Sequence, residues 1–241
     1  MFAKFQLSTD PVRLAAWGNV PAKSLLRCKQ NGKLYDHKSF PVLRVSPRTG
    51  KRQMSWMREG LIPSYAHDEH SAPERGEAQS ETYTTSSAFR CAFRRRRCII
   101  PADVFNECQY QRRPFEVPCS FAPDNEEIFG IAGIWESWVN DSGEEILSFA
   151  IVTGHVAPSL EPIFDRMPIV ISEDDQERWL GFAGSESLPL ELLRTLSKKQ
   201  LKGWKIMPCE QFLESPHVPA SRVDESRNAH TGATSSRNYS A

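Results

Sequence analysis

None of the apolar runs in this chain reaches the ~18 residues that a membrane helix requires, and no basic stretch followed by a long apolar core opens it. Neither a membrane span nor a secretory leader is expected, and the sequence reads as cytoplasmic, or nuclear in a eukaryote. Net charge is also missing, because thirty basic side chains are balanced by thirty acidic ones. No global field draws the molecule to nucleic acid or to a lipid surface, so any such attraction must come from local clustering. The six cysteines (Cys28, Cys91, Cys98, Cys108, Cys119, Cys209) include no C-x-x-C pair and no histidine at ligand spacing. Reduced thiols are therefore expected, with no metal and no cofactor. Internal repeats are absent as well, and 241 residues suit one domain.

What is present is a set of short apolar, β-branched runs: 40–45, 97–105, 127–135, 145–153 and 167–171. Their length and composition predict strands, most of them buried. Helical signals are fewer. Asp10 and Pro11 form a cap and first-turn pair, 84–94 offers Thr and Ser caps ahead of Phe89 and Phe93, 173–181 is acid-first, and 187–197 is leucine-rich at helical spacing. Strands outnumber helices without strict alternation, which predicts an α+β fold with a largely antiparallel sheet or barrel and a few flanking helices. Residues 64–80 are polar and predict an exposed loop, and 229–241 predict a disordered tail after a single domain over 1–228.

Several segments share one order: WMREGLIPSYAHD (56–68), SETYTTSSAFRCAFRRRRCIIPADVFNEC (80–108), RRPFEV (112–117), GIAGIWESW (130–138), IVTGHVAPSLEPIFDRMPIVI (151–171) and VPASRVDESRN (218–228). Together they resemble the SRAP family, the SOS response-associated peptidases or abasic-site processing proteins. The resemblance implies a compact mixed fold, single-stranded DNA binding, self-removal of the initiator methionine, and covalent capture of abasic sites by a cysteine next to that methionine. An opened abasic sugar presents an aldehyde; the amine of an N-terminal cysteine forms an imine, and its thiol closes a stable thiazolidine. The α-amine has a pKa of about 8, so part of it is a neutral nucleophile at neutral pH.

Against the family start Cys-Gly-Arg-Phe, this chain has Phe2, Ala3, Lys4 and Phe5. The thiol is gone, and a bulky second residue predicts retention of Met1. The asparagine and arginine of the family's N-A-R-x-E-T segment fall on Glu77 and Gln79, the histidine of I-H-D-R-M-P on Phe164, and the asparagine of Y-N-x-x-P on Lys38. Glu107 keeps the glutamate of G-F-x-E-W, the family's acid/base. By resemblance, Glu107, Phe2, Glu77 and Phe164 occupy the catalytic positions, three of them substituted. Lys4, Lys38, Gln79, Arg97 and Arg166 are the DNA-binding candidates. A phenyl ring cannot transfer a proton, and Glu77 puts negative charge where a phosphate would pass.

Plainer readings stand beside these. Glu107 could serve one of the nearby arginines, and the run Arg94–Arg97 could be a solvated face, with Arg94 to Arg96 extra to the family pattern. Trp56, Trp135, Trp138 and Trp179 could stack on bases, although Trp135 and Trp179 read as core. His155 and His217 read as ordinary polar residues. Three functions follow: a SRAP-like pseudoenzyme, monomeric, that binds single-stranded or abasic DNA without cross-linking; a Schiff-base lyase using the Met1 amine and Glu107; or a protein-interaction module on the same scaffold.

Overall fold

The computed structural model describes residues 4–26, 39–68, 76–82, 85–86, 89–109, 117–156, 158, 166–181 and 189–208. Its strands, in chain order, are β1 (Lys4–Gln6), β2 (Ser39–Val45), β3 (Arg52–Glu59), β4 (Glu77–Gln79), β5 (Arg97–Ala102), β6 (Val104–Gln109), β7 (Val117–Pro123), β8 (Phe129–Val139), β9 (Glu145–His155), β10 (Arg166–Pro168), β11 (Val170–Ile171) and β12 (Trp204–Pro208). Four α-helices join them among the described residues: α1 (Pro11–Trp17), α2 (Lys23–Leu26), α3 (Arg90–Arg95) and α4 (Gln176–Leu180).

The apolar runs are continuous because their strands bury both faces. In β5, Cys98 and Ile100 enter one core cluster while Ile99 enters the other. In β8, Ile131 and Trp135 face the first cluster, and Ala132 and Ile134 face the second. The reason for two buried faces is closure: β9 pairs with β3 on one edge and with β8 on the other, so β9-β3-β2-β5-β8 returns on itself as a small barrel. Phe149, Val42, Met57, Ile100 and Ile131 fill its interior, each such side chain contributing about 1.5–3 kcal/mol on burial. The outer face is covered by α1, α3 and α4 through Leu14, Phe93 and Trp179. Gly133 lies where strands crowd most closely; a Cβ there would stand 2.2 Å from Ile100 Cδ1 and 3.0 Å from Cys98 Sγ.

A second sheet, β1-β6-β7-β12, is antiparallel throughout and shares the interior cluster through Phe5, Phe105 and Phe121. The α+β, mostly antiparallel barrel expected from the sequence is the architecture observed. Strand expectations at 40–45, 127–135 and 145–153 are met by β2, β8 and β9. The run 97–105 is instead two strands, split at Asp103, whose backbone N–H donates to the Gln6 carbonyl at 3.0 Å. Its Oδ2 accepts from Ser8 backbone N–H and Oγ at 2.6 and 2.8 Å. That bend moves the chain from barrel to second sheet and fixes the N-terminal strand there.

Three local expectations are corrected. Residues 77–79 are the strand β4 and not part of a loop, because fully buried Ala78 inserts into the outer core while Glu77 and Gln79 point away. The helix expected over 84–94 starts only at Arg90, with no side-chain cap. The leucines of 187–197 form no α-helix over their described part; one 3₁₀ turn, Leu190–Leu192, precedes an irregular strap whose Leu196 is buried against the interior cluster. By contrast α1 starts as expected, with Asp10 Oδ1 accepting from the backbone N–H groups of Val12 and Arg13 at 2.8 and 3.1 Å. Residues 229–241 lie outside the described residues.

Candidate functional site

Among the described residues, a dense polar network sits where β4 and β10 meet β9. Glu77 pairs in register with Ile151, parallel, and Gln79 with Thr153; Arg166 lies opposite His155 in the antiparallel ladder between β10 and β9. These two pairings bring Glu77 and Arg166, 89 positions apart in the chain, to 3.5 Å between Oε1 and Nε. Thr153, 2 % exposed, sits between them. Its Oγ1 donates to Glu77 Oε1 at 2.5 Å and accepts from Arg166 Nε at 3.2 Å.

The other end of the guanidinium is held as firmly. Arg166 Nη2 donates to Glu81 Oε2 at 2.8 Å and to the Thr153 carbonyl at 3.0 Å, and Nη1 lies 3.4 Å from His155 Nε2. Glu81 Oε1 accepts from the backbone N–H of His155 at 3.0 Å. One cation is thus clamped by two carboxylates, and the cluster is locally negative where the resemblance placed a phosphate contact. Such a site repels a free polyanion until the clamp is opened.

Burial opposes the charge on Glu81, yet the hydrogen bond from Arg166, the backbone N–H donors and the field of the guanidinium outweigh it and hold the carboxyl down to about 2, from 4.5. A carboxyl depressed by folding stabilises the native state above its unfolded value, and that contribution is lost as pH falls from about 4.5 toward 2. Urea melts across that window should show wild type losing stability faster than Glu81→Gln. Parallel loss in the two proteins would show that the clamp does not couple to folding.

The remaining candidates are dispersed. Glu107 lies on β6 with its backbone opposite Cys119, and Lys4, at the first position of β1, lies opposite Asn106, the residue before Glu107. Phe2, Lys38 and Phe164 lie outside the described residues. Gln79 is exposed on the strand that carries Glu77.

Arg97 departs from the expectation of a phosphate-facing cation. It is 5 % exposed, its Nε donates to the Trp179 carbonyl, and Nη1 donates to the carbonyls of Phe93 and Arg94 at 2.9 and 3.1 Å. Burial pulls its pKa below the ordinary arginine value. Gly181, at φ +60, closes over it; a Cβ there would lie 2.2 Å from Arg97 Nη2. Arg97 is a structural tie between α3, β5 and α4. Trp135 and Trp179 are buried as expected, the former beneath the Arg44 guanidinium at 4.2 Å.

Sequence reasoning missed Glu81, Thr153 and Glu136. Glu81 had a signal, since EAQSET keeps the Glu-Thr of the family segment. Glu136, 3 % exposed, accepts from Arg96 Nη2 at 2.7 Å, and burial pushes its pKa up against that attraction. No set of three His, Cys, Asp or Glu among the described residues is arranged to hold a metal ion, and no described helix is long and apolar enough to cross a membrane.

The family model for SOS response associated peptidase (SRAP) matches residues 1–209. This chain belongs to the SRAP family. Among curated SRAP relatives, the abasic site processing protein YoaM of Bacillus subtilis strain 168 is 30 % identical over 140 residues, covering 58 % of this chain and 62 % of YoaM. The abasic site processing protein HMCES of Xenopus tropicalis is 26 % identical over 156 residues, 56 % of this chain and 47 % of HMCES. The match therefore spans less than two thirds of either relative. Crystal structures share this fold: a Bacteroides thetaiotaomicron protein superposes with a TM-score of 0.72 at 22 % identity, covering 90 % of this chain and 96 % of its own. One from Bordetella bronchiseptica gives 0.68 at 21 %, covering 86 % and 99 %.

Proposed function

We propose that this SRAP protein acts in DNA damage handling by engaging single-stranded or abasic DNA without locking the lesion into a thiazolidine. The observation that carries this reading is the clamp of Glu77, Thr153 and Glu81 on Arg166, at the position where the family sequence has asparagine. An asparagine would leave Arg166 with one carboxylate; Glu77 adds a second and turns the cluster negative. Phe2 and Phe164 support the reading chemically, since neither a sulfur nucleophile nor a proton carrier remains at those positions. An imine formed there would stay open to water.

Incubating the full chain with a single-stranded oligonucleotide that carries one abasic site, then resolving it on a denaturing gel after heating, tests the proposal. No heat-stable adduct is expected. A band of protein joined to DNA, surviving heat, overturns it.

The register of β1 on β6 favours a second reading, because Lys4 stands opposite Asn106, the residue before Glu107. In that reading the Met1 amine adds to the aldehyde with loss of water. The Glu107 carboxylate then removes the proton next to the imine carbon, and the 3′ phosphate leaves with the electrons of its C–O bond. Borohydride separates the two readings. A reduced adduct together with strand scission establishes the lyase, and neither product leaves non-covalent binding.

A further inference from the structure

We propose that His155 is a proton-operated release for the Arg166 clamp: protonating its ring frees one arm of the guanidinium and makes the site receptive to a strand phosphate. The polymer rests on the proposed function above; the coupling of ring to guanidinium rests on geometry alone.

The backbone of His155 is fixed on both sides. It lies opposite Arg166 in the ladder between β9 and β10, its N–H donates to Glu81 Oε1 at 3.0 Å, and its carbonyl accepts from Thr195 Oγ1 at 3.0 Å. The residue is exposed at the end of β9, where water can bring it a proton. Nε2 lies 3.4 Å from Arg166 Nη1. A guanidinium nitrogen carries only donors, so a bond there requires Nε2 to accept, with the ring neutral and its proton on Nδ1. The contact thus selects one protonation state. A proton added to Nε2 sets donor against donor and cation against cation, and Nη1 loses this acceptor.

The charges around the ring, among the described residues, set the direction of the effect. They are Arg166 on β10, Glu81 in the 3₁₀ turn Ser80–Thr82, and Glu77 on β4. While the ring is neutral, two carboxylates face one guanidinium and negative charge is in excess. An imidazolium cancels that excess and offers Glu81 a second cation. Both changes favour an anion: repulsion falls, and Arg166 Nη1 has a donor to give. Glu81 does not blur the transition, because its carboxyl is held down to about 2. Phosphate binding and proton uptake are therefore linked, each strengthening the other. Imidazole changes charge between about pH 5 and 8, so the release works near neutrality.

An oligothymidylate of about 15 nucleotides with one tetrahydrofuran abasic analogue has no aldehyde, so it reads binding without covalent chemistry. Its fluorescence anisotropy is titrated with the full chain at about pH 8 and about pH 6, at constant ionic strength. Wild type should tighten by about fivefold or more at the lower pH, the ordinary range for two coupled sites. His155→Gln, whose amide does not take the proton, should bind alike at both, and His155→Arg, a permanent cation, should bind tightly at both. Equal thermal melts establish that the variants are folded. In parallel, the Arg166 Nε–H resonance is followed by NMR as the His155 ring titrates, and its shift should track the midpoint of the ring. Wild type that binds alike at both pH values, equal tightening in His155→Gln, or an Arg166 Nε–H indifferent to the ring overturns the proposal and leaves DNA binding standing. An Nε–H that tracks the ring, with no binding at either pH, sustains the release and removes a DNA strand as its ligand, and with it the proposed function.

Discussion

Combining Phe2→Cys, Glu77→Asn and Phe164→His is expected to turn a protein that forms no heat-stable adduct into one that does, on the same abasic oligonucleotide. The first change supplies the thiol, and a small second residue allows Met1 to be removed, so amine and thiol come to lie on one residue. The second change opens the clamp: Arg166 loses its contact with Glu77 and keeps Glu81, so the cluster passes from negative to near neutral. Thr153, on β9, keeps its place and still accepts from Arg166. The third change returns a proton carrier, and positioned proton transfer contributes roughly 10²–10⁴-fold to a rate. Phe2→Cys alone should therefore cross-link slower than the triple variant by about that factor, which quench-and-gel time courses read directly. A folded triple variant that binds abasic DNA yet gives no adduct would show that the barrel no longer delivers its first residues to the lesion, and the proposed descent from a cross-linking site would fall with it.

How much of this could be read from residue order depends on which face each strand buries. The barrel strands β5, β8 and β9 were legible because both of their faces are covered, which leaves uninterrupted apolar runs. Strand β3, RQMSWMRE, was not, since its two ends are charged and only Met54 and Met57 mark its core. Strand β4 is three residues long and polar on the face turned away from the outer core, so nothing local separates it from the loop before it. The same limit governs the site. Glu77 and Arg166 were each identifiable as substituted or retained positions, but their contact depends on a parallel pairing of β4 with β9 and an antiparallel pairing of β10 with β9, which no local pattern encodes. Arg97 shows a reading that parity could have corrected. It lies two residues from Ile99, on the outer face beneath α4, so its burial follows from alternation once β5 is taken as a strand.

That tie between α4 and β5 should dominate stability. Trp179→Ala is expected to cost about 3–5 kcal/mol in chemical denaturation, the range for deleting a fully buried large aromatic. Trp179 has no exposure and belongs to the outer cluster, and its indole N–H donates to the Cys98 carbonyl at 2.8 Å. Its own carbonyl accepts from Arg97 Nε. Removing the ring therefore opens a cavity against the barrel wall and strips a buried carbonyl of its donor, which adds roughly 1–3 kcal/mol where water cannot enter. Trp179→Phe retains most of the volume and loses only the donor, so it should fall between wild type and alanine. The comparison also separates structure from recognition: a base-stacking tryptophan would alter binding to single strands with little change in the denaturation midpoint, whereas the burial of Trp179 predicts the reverse. A midpoint unmoved in Trp179→Ala would mean that the packing of α4 on the barrel wall does not depend on this ring, and the destabilisation expected from its burial would not stand.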